Sequence, residues 1–325
     1  MLCQGWITAQ TTLSGVILDR NTEEPLPGAT IYVNGTTLGT ISDEFGRFSL
    51  ELSSMSPSVI FRYVGYESLT LEQPNRFSRV TVKLNELVDS LDEVILEKSL
   101  FTHQQKLAAF TREFIGTSVS GLECKILNPE VISLTFVASE KKLKATANKP
   151  IKILNPYLGY ELEYSLQAFE ISFYKVSLSI HEQIQVFHAG TTFFKDISND
   201  NPKFKKRRKN AYIGSTMHWI RSIYNESLKE NGFYLLQNGK TISPTKFYSL
   251  HQEIDEDSKW IEFAENTPEF TQIFISNERN SKVKVDIPKI QISSLGNYFP
   301  PNGLLFLGYM GNQRVGDLLP LDYQP

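Results

Sequence analysis

Apolar and polar positions alternate in short runs through the first hundred residues. LSGVILD is followed by the polar Pro/Gly loop RNTEEPLPG, and ATIYVNG ends in Asn-Gly. TLGTISD leads through Glu44-Phe45-Gly46 into RFSLEL, and SVIFRYVGYES and RVTVKLNE complete the set. Six or seven strands at this spacing, punctuated by turn residues, predict a small antiparallel sandwich.

The period then changes. Leu100, Leu107, Phe110 and Phe114 fall on one helical face, with Gly116 placed to cap it. After Asn128-Pro129, the runs VISLTFVA, KLKATA, PIKIL, YELEYSL, FEISFYKVSLSI and QIQVFHAG predict a twisted antiparallel sheet joined as a meander. In KFKKRRKNAYIGSTMHWIRSIYNESLKENGF, Tyr212, Thr216, Trp219 and Ile223 recur at helical spacing, and Asn231-Gly232 reads as the stop. KWIEFAE, TQIFISN and KVKVDI add further strands. The expectation is a mainly β chain: an N-terminal β-sandwich of six or seven strands over 11–97, then an α+β domain over 98–325 with an antiparallel sheet and a few helices.

Asp43-Glu44-Phe45-Gly46 invites three chemical readings, and each fails. A calcium loop starting at Asp43 would need a bidentate Glu at its twelfth position, where Ser54 stands. A phosphate loop precedes a helix, whereas a strand follows here. The kinase Asp-Phe-Gly triplet is interrupted by Glu44. What remains is a hairpin turn, with Asp43 bonding nearby amides and Gly46 at positive φ.

These same residues carry a resemblance. Gly15-Val16-Ile17, Pro27-Gly28-Ala29-Thr30-Ile31, Gly39-Thr40-Ile41-Ser42-Asp43, Gly46-Arg47-Phe48 and Val64-Gly65-Tyr66 occur in the order found in the carboxypeptidase regulatory-like domain. Residues 12–96 resemble that domain throughout. The resemblance implies a transthyretin-like sandwich, common in exported Bacteroidetes proteins, that is the non-catalytic companion of the peptidase. Ser90-Leu91-Asp92-Glu93-Val94-Ile95-Leu96 resembles the segment before the plug of TonB-dependent receptors. Such a receptor needs a plug and a barrel of about 22 strands, and 229 residues follow Leu96, so the expectation is a different user of the same front module. The second domain is similar to arrangements in other Bacteroidetes proteins that carry this module, a similarity that implies no activity.

Composition narrows the classes further. The 325 residues are 41% hydrophobic and 12% aromatic with net charge −3, which is globular. Residues 11–97 hold 13 acids against 6 bases, net −7, and residues 98–325 hold 23 against 27, net +4. Neither domain is basic enough to favour nucleic acid. The two cysteines, Cys3 and Cys124, exclude a disulfide scaffold. MLCQGWITAQ, residues 1–10, reads as a truncated signal peptide with Ile7-Thr8-Ala9 as its cleavage site, although it lacks a charged n-region and a long apolar core. No apolar run reaches the length of a transmembrane helix.

No motif announces a reaction. None of His103, His181, His188, His218 or His251 is followed three places later by Glu, as the zinc carboxypeptidase pattern requires. His181 and His188 make a poor metal site without further ligands. No Gly-x-Ser-x-Gly occurs, and Cys124 has no marked base and reads as a small buried residue. No catalytic, cofactor-binding or metal-ligating residue is therefore assigned. The one unusual feature is the cationic run Lys203, Lys205, Lys206, Arg207, Arg208 and Lys209. It reads either as a solvated helix start or as a patch for an anionic partner: lipid head groups, lipopolysaccharide or the acidic first domain. The expectation is a non-enzymatic exported protein of the periplasm or outer membrane, acting as an interaction or scaffold module. The alternatives are an accessory glycan- or peptide-binding protein of an uptake system, and an envelope enzyme with a site in the second domain.

Overall fold

The computed structural model describes residues 11–52, 58–87, 100–252, 258–265, 267–275 and 279–325. The expected leader, residues 1–10 with Cys3, and the receptor-like segment, residues 90–96, lie outside the described residues. The chain divides into two compact units, Met1–Phe114 with Cys124–Ile197 and Ile115–Glu123 with Ser198–Pro325.

The first unit opens with seven strands: β1 (Thr11–Asp19), β2 (Thr30–Val33), β3 (Gly39–Ile41), β4 (Arg47–Leu52), β5 (Ser58–Arg62), β6 (Leu69–Glu72) and β7 (Arg79–Leu84). They form two sheets, β4-β1-β7 and β3-β2-β5-β6. Alternation is clean where one face meets the core: in β4, Phe48, Leu50 and Leu52 are buried and the residues between them exposed. These side chains join Leu13, Ile17, Ile31, Val33, Val59, Phe61, Val82 and Leu84 in one core. Two details differ from the sequence expectation. β1 and β7 run parallel. β3 and β4 do not pair; they belong to opposite sheets, so residues 43–46 form an arch across the sandwich and not a hairpin. The reason is Ser42, which leaves β3 turned inward: its Oγ donates to Leu26 O at 2.7 Å and accepts from the Ala29 amide at 2.9 Å.

After helix α1 (His103–Phe114) come β8 (Lys125–Ile126), β9 (Ile132–Val137), β10 (Lys142–Ala147), β11 (Ile151–Asn155), β12 (Tyr160–Phe173) and β13 (Gln183–Asp196). β12 and β13 are 14-residue strands paired along most of their length. β10 and β11 follow one another along the other side of β12, opposite 170–172 and 160–164 respectively. β9 and β8 flank them in turn. The sheet is thus a four-ply meander, as the pattern predicted, with its plies interrupted along one line. That line passes through 148–150 and the register shift between Leu166 and Ala168. The expected break into two strands near residue 167 is therefore a β-bulge inside one strand. Inward-facing Tyr164 and Phe169 of β12 pack on Phe114 and Phe110 of α1, with centroids 4.9 and 4.6 Å apart. Gly116 has φ +97 after that helix, as expected, but Leu100 lies outside it and is exposed.

β13 also holds the sandwich. Gly35 N donates to Thr192 O at 2.7 Å and Phe194 N to Thr36 O at 3.0 Å. Thr192 N donates to Asn34 Oδ1 at 3.0 Å. Tyr32 points away from the sandwich core, yet it is fully buried: its ring lies 5.0 Å from that of Phe193, and its hydroxyl is 3.1 Å from Thr191 Oγ1. Arg62 pairs with Glu163 beside it. Gly39 is needed here, because a Cβ would stand 2.8 Å from the Phe193 ring.

The second unit contains α2 (Val119–Glu123), α3 (Pro202–Tyr212), α4 (Thr216–Tyr224) and strands β14 (Phe233–Gln237), β15 (Lys240–Ile242), β16 (Tyr248–Gln252), β17 (Ser258–Phe263), β18 (Thr271–Ile275), β19 (Arg279–Val285), β20 (Lys289–Ser293), β21 (Tyr298–Phe299) and β22 (Leu304–Gly308). They form two antiparallel sheets, β15-β14-β18-β19-β22 and β16-β17-β20-β21. Side chains from both sheets and from α4 share one core around Trp219. The tail strands expected to extend a single sheet thus build two sheets of their own. The expected long helix from residue 203 to 231 is two helices. Gly214 at φ +77 ends the first, and Ser215 caps the second by accepting from the His218 amide. The second ends at Tyr224, before Asn231-Gly232, with Glu226 at φ +54 closing it.

Candidate functional site

The arch at residues 43–46 is fully accounted for by structure. Asp43 Oδ1 accepts from the amides of Phe45 (2.9 Å) and Arg47 (2.8 Å), and Oδ2 accepts from Arg47 Nε (3.0 Å). The Arg47 amide, then that of Phe45, holds the Asp43 carboxyl below its usual range. Gly46 sits at φ +71, as the turn reading requires, and a Cβ there would meet Ile17 O at 2.5 Å.

The chemical candidates do not converge. His181 lies exposed in a 3-10 turn, whereas His188 sits within β13, its Nδ1 3.2 Å from the Tyr164 hydroxyl. His218 is buried between Tyr212 and Phe233, its Nδ1 accepting from the Gly214 amide at 3.1 Å. Cys124 is half-buried. Among the described residues, no three His, Cys, Asp or Glu side chains gather in a way that could hold a metal ion. One acid–phenol pair escaped the sequence reading: Tyr66 donates to Asp19 Oδ2 at 2.6 Å. Tyr66 lowers the Asp19 carboxyl, and Asp19 raises the phenol. The pair ties the loop between β5 and β6 to the end of β1.

The cationic run forms α3. Asn201 caps it by accepting from the Lys203 amide at 3.0 Å, and Pro202 fills the first helical position. Phe204, Arg208 and Tyr212 recur four apart and face inward. Arg208 is 8% exposed, its guanidinium 6.0 Å from the Phe204 ring. Arg207 is half-buried, while Lys203, Lys205, Lys206 and Lys209 are exposed. Among the described residues, none of these four lysines has an ion-pair partner. Arg279 donates to the Asn210 and Ile213 carbonyls at the far end of the helix, where a cation suits the dipole. The four lysines include two in the first turn, where it does not. The run is thus one inward arginine and an outward stripe of unneutralised charge.

A groove on the open face of the first unit's sheet was not legible in the sequence. A cavity of about 490 Å³ opens beside the β12 bulge, lined by Lys144, Thr146, Gln167, Glu170, Gln185 and Phe187 among others. Its two charged lining residues are each paired to a neighbour outside the lining: Glu170 to Lys142 at 2.6 Å and Lys144 to Glu140 at 2.7 Å. Glu170 is thereby held as an acceptor in an ion pair, with no second carboxylate in the lining for acid–base work. The signal that marks the place is the lost alternation at Leu166-Gln167-Ala168.

Comparison with known proteins bears on the sandwich alone. Residues 13–96 match the CarboxypepD_reg-like domain family, and the chain carries that domain. The chain is 33% identical over 91 residues to TonB-dependent receptor P39 of Formosa agariphila, a match covering 28% of this chain and 8% of the receptor. It is 33% identical over 87 residues to TonB-dependent receptor SusC of Bacteroides thetaiotaomicron, covering 27% of this chain and 8% of that receptor. The likeness is confined to a small part of either receptor. Among solved structures, a 9R-lipoxygenase from Cyanothece aligns over 65% of this chain and 48% of its own at 11% identity, but a TM-score of 0.18 carries no argument about fold or function. No helix among the described residues is long and apolar enough to cross a membrane.

Proposed function

We propose that this is an exported protein of the cell envelope that acts as a non-enzymatic interaction module. The observation that carries the reading is the CarboxypepD_reg-like domain at residues 13–96, a module whose sequence relatives include two TonB-dependent receptors. Here the module is fastened to a further sheet through Gly35, Thr36 and Tyr32, which suits a rigid scaffold. The outward stripe Lys203, Lys205, Lys206 and Lys209 is the surface offered to an anionic partner such as lipid head groups or lipopolysaccharide. Near an acidic membrane each lysine contributes on the order of 1 kcal/mol, within a Debye length.

Two measurements test this. Fractionation of the native cells should recover the chain with the periplasm or outer membrane; recovery in the cytosol alone rejects the assignment. Changing the four lysines to Gln should leave the melting temperature nearly unaltered, since exposed charges contribute little to stability. Binding to phosphatidylglycerol vesicles at low salt should fall sharply. Equal binding by wild type and variant removes the stripe from the proposal.

A further inference from the structure

We propose that the outer face of the second unit's five-stranded sheet is a saccharide-binding platform. The register brings together side chains far apart in sequence. Tyr234 of β14 lies directly opposite Phe274 of β18, which lies opposite Asn280 of β19. The next row is Leu236, Gln272, Lys282 and Leu307. Residues so paired share one face, with neighbouring strands roughly 4.8 Å apart. Two aromatic side chains therefore stand on neighbouring strands of one face, Tyr234 at 40% and Phe274 at 38% exposure. A cavity of about 320 Å³ adjoins Phe274, lined by Leu236, Gln272, Phe274, Asn280, Lys282 and Leu307 among others, and Tyr234 stands on the strand beside it. That volume is the lower end of the ~300–1,000 Å³ typical of small-ligand sites.

The polar groups here are available. Among the described residues, the side chains of Gln272, Asn280 and Lys282 have no hydrogen-bond or ion-pair partner. This differs from the groove of the first unit, whose Lys144 and Glu170 are each ion-paired, to Glu140 and Lys142. Ser281, which also borders the cavity, is buried and accepts from the Met310 amide at 3.0 Å, so it is already engaged. Among the described residues, no histidine, cysteine or carboxylate lines the cavity. Amides, a hydroxyl and one lysine among apolar groups form a lining suited to binding.

The ligand class follows from this mixture. A pyranose ring has an apolar C–H face and a rim of hydroxyls. The face stacks on an exposed aromatic ring, and the rim bonds to amides, which both donate and accept. A protein partner would favour a continuous apolar centre, whereas here Phe274, Leu236 and Leu307 each have a polar cross-strand neighbour in Asn280, Gln272 and Lys282. Lys282, unopposed by any carboxylate in the lining, would pair with an acidic sugar substituent. The inference is independent of where in the cell the protein resides.

The test is native gel electrophoresis of the full chain through gels containing soluble β-glucan, xylan or polygalacturonate. At least one of the three should retard the wild type. Tyr234→Ala and Phe274→Ala should each weaken that retardation about tenfold or more, and Gln272→Ala, at an exposed position that cannot upset the core, should also weaken it. Thermal melts establish that each variant is folded. Lys282→Gln should weaken only the polygalacturonate response. A wild type retarded by none of the three polysaccharides overturns the inference, as does equal retardation of wild type and the Tyr234→Ala/Phe274→Ala variant. A concentration-dependent dimer that Phe274→Ala dissolves would assign the face to a second copy and overturn it equally.

Discussion

The junction between the sandwich and β13 makes a quantitative prediction through Tyr32 and Thr191. Both are buried, at 0% and 8% exposure, and their hydroxyls are 3.1 Å apart. Tyr32→Phe keeps the ring against Phe193 but leaves Thr191 Oγ1 without this partner. A buried hydroxyl so orphaned costs about 1–3 kcal/mol. Thr191→Val orphans the tyrosine hydroxyl in the same way and at similar cost. Making both changes removes the whole polar pair and leaves two apolar groups of matching shape, which is close to neutral. The double variant should therefore be more stable than the sum of the singles by about 2 kcal/mol or more. Of the three tryptophans, Trp219 and Trp260 belong to the second unit and Trp6 lies outside the described residues, so tryptophan fluorescence is a poor probe of this junction. Calorimetry and hydrogen exchange of the Gly35 and Phe194 amides, which bridge to Thr192 and Thr36, are the right ones. Each single variant should speed exchange at those two amides about tenfold for every 1.4 kcal/mol lost. If the two changes add to within about 0.5 kcal/mol, or if exchange at these amides does not respond, the junction is not built around this pair.

Two further outcomes follow from local geometry. Burial, with a smaller contribution from Arg221, holds the His218 imidazole below its ordinary value, against the Asn231 hydrogen bond that raises it. The folded state thus prefers neutral His218 while the unfolded chain titrates near ~6.5. The second unit should lose stability as pH falls below that value, and a His218→Gln variant should show a flatter melting temperature between pH 7.5 and 5; an unchanged profile would contradict the assignment. Gly46→Val forces a β-branched residue to φ +71 with its Cβ 2.5 Å from Ile17 O, so it should cost about 2 kcal/mol or more, read as a lower calorimetric midpoint. A neutral result would mean that the arch relaxes freely.

How much of this was legible depended on whether the determining contact was local. The seven sandwich strands, Gly46 at positive φ and the Gly116 stop each follow from alternation or from one residue's backbone freedom, and the sequence displays both. Pairing is not local. The alternation of RFSLEL says which face is buried but not that β4 joins β1 instead of β3, a choice made by Ser42 bonding back to Leu26 and Ala29. A bulge defeats periodic reading in the opposite way. One extra residue at Leu166-Gln167-Ala168 shifts the phase, so a continuous 14-residue strand reads as two. In the helical region, the apolar spacing of Tyr212, Thr216, Trp219 and Ile223 survives the break at Gly214-Ser215, because both helices press their apolar faces into packed interiors. Spacing alone therefore conceals the break that a glycine followed by a capping serine marks. The platform residues are the extreme case. Tyr234 and Phe274 are ordinary outward strand residues when each is read in its own run, and only the register of β14 on β18 makes them neighbours. A binding surface on a sheet runs across strands, perpendicular to the direction in which sequence is read, so its signal lies in pairing rather than in any motif.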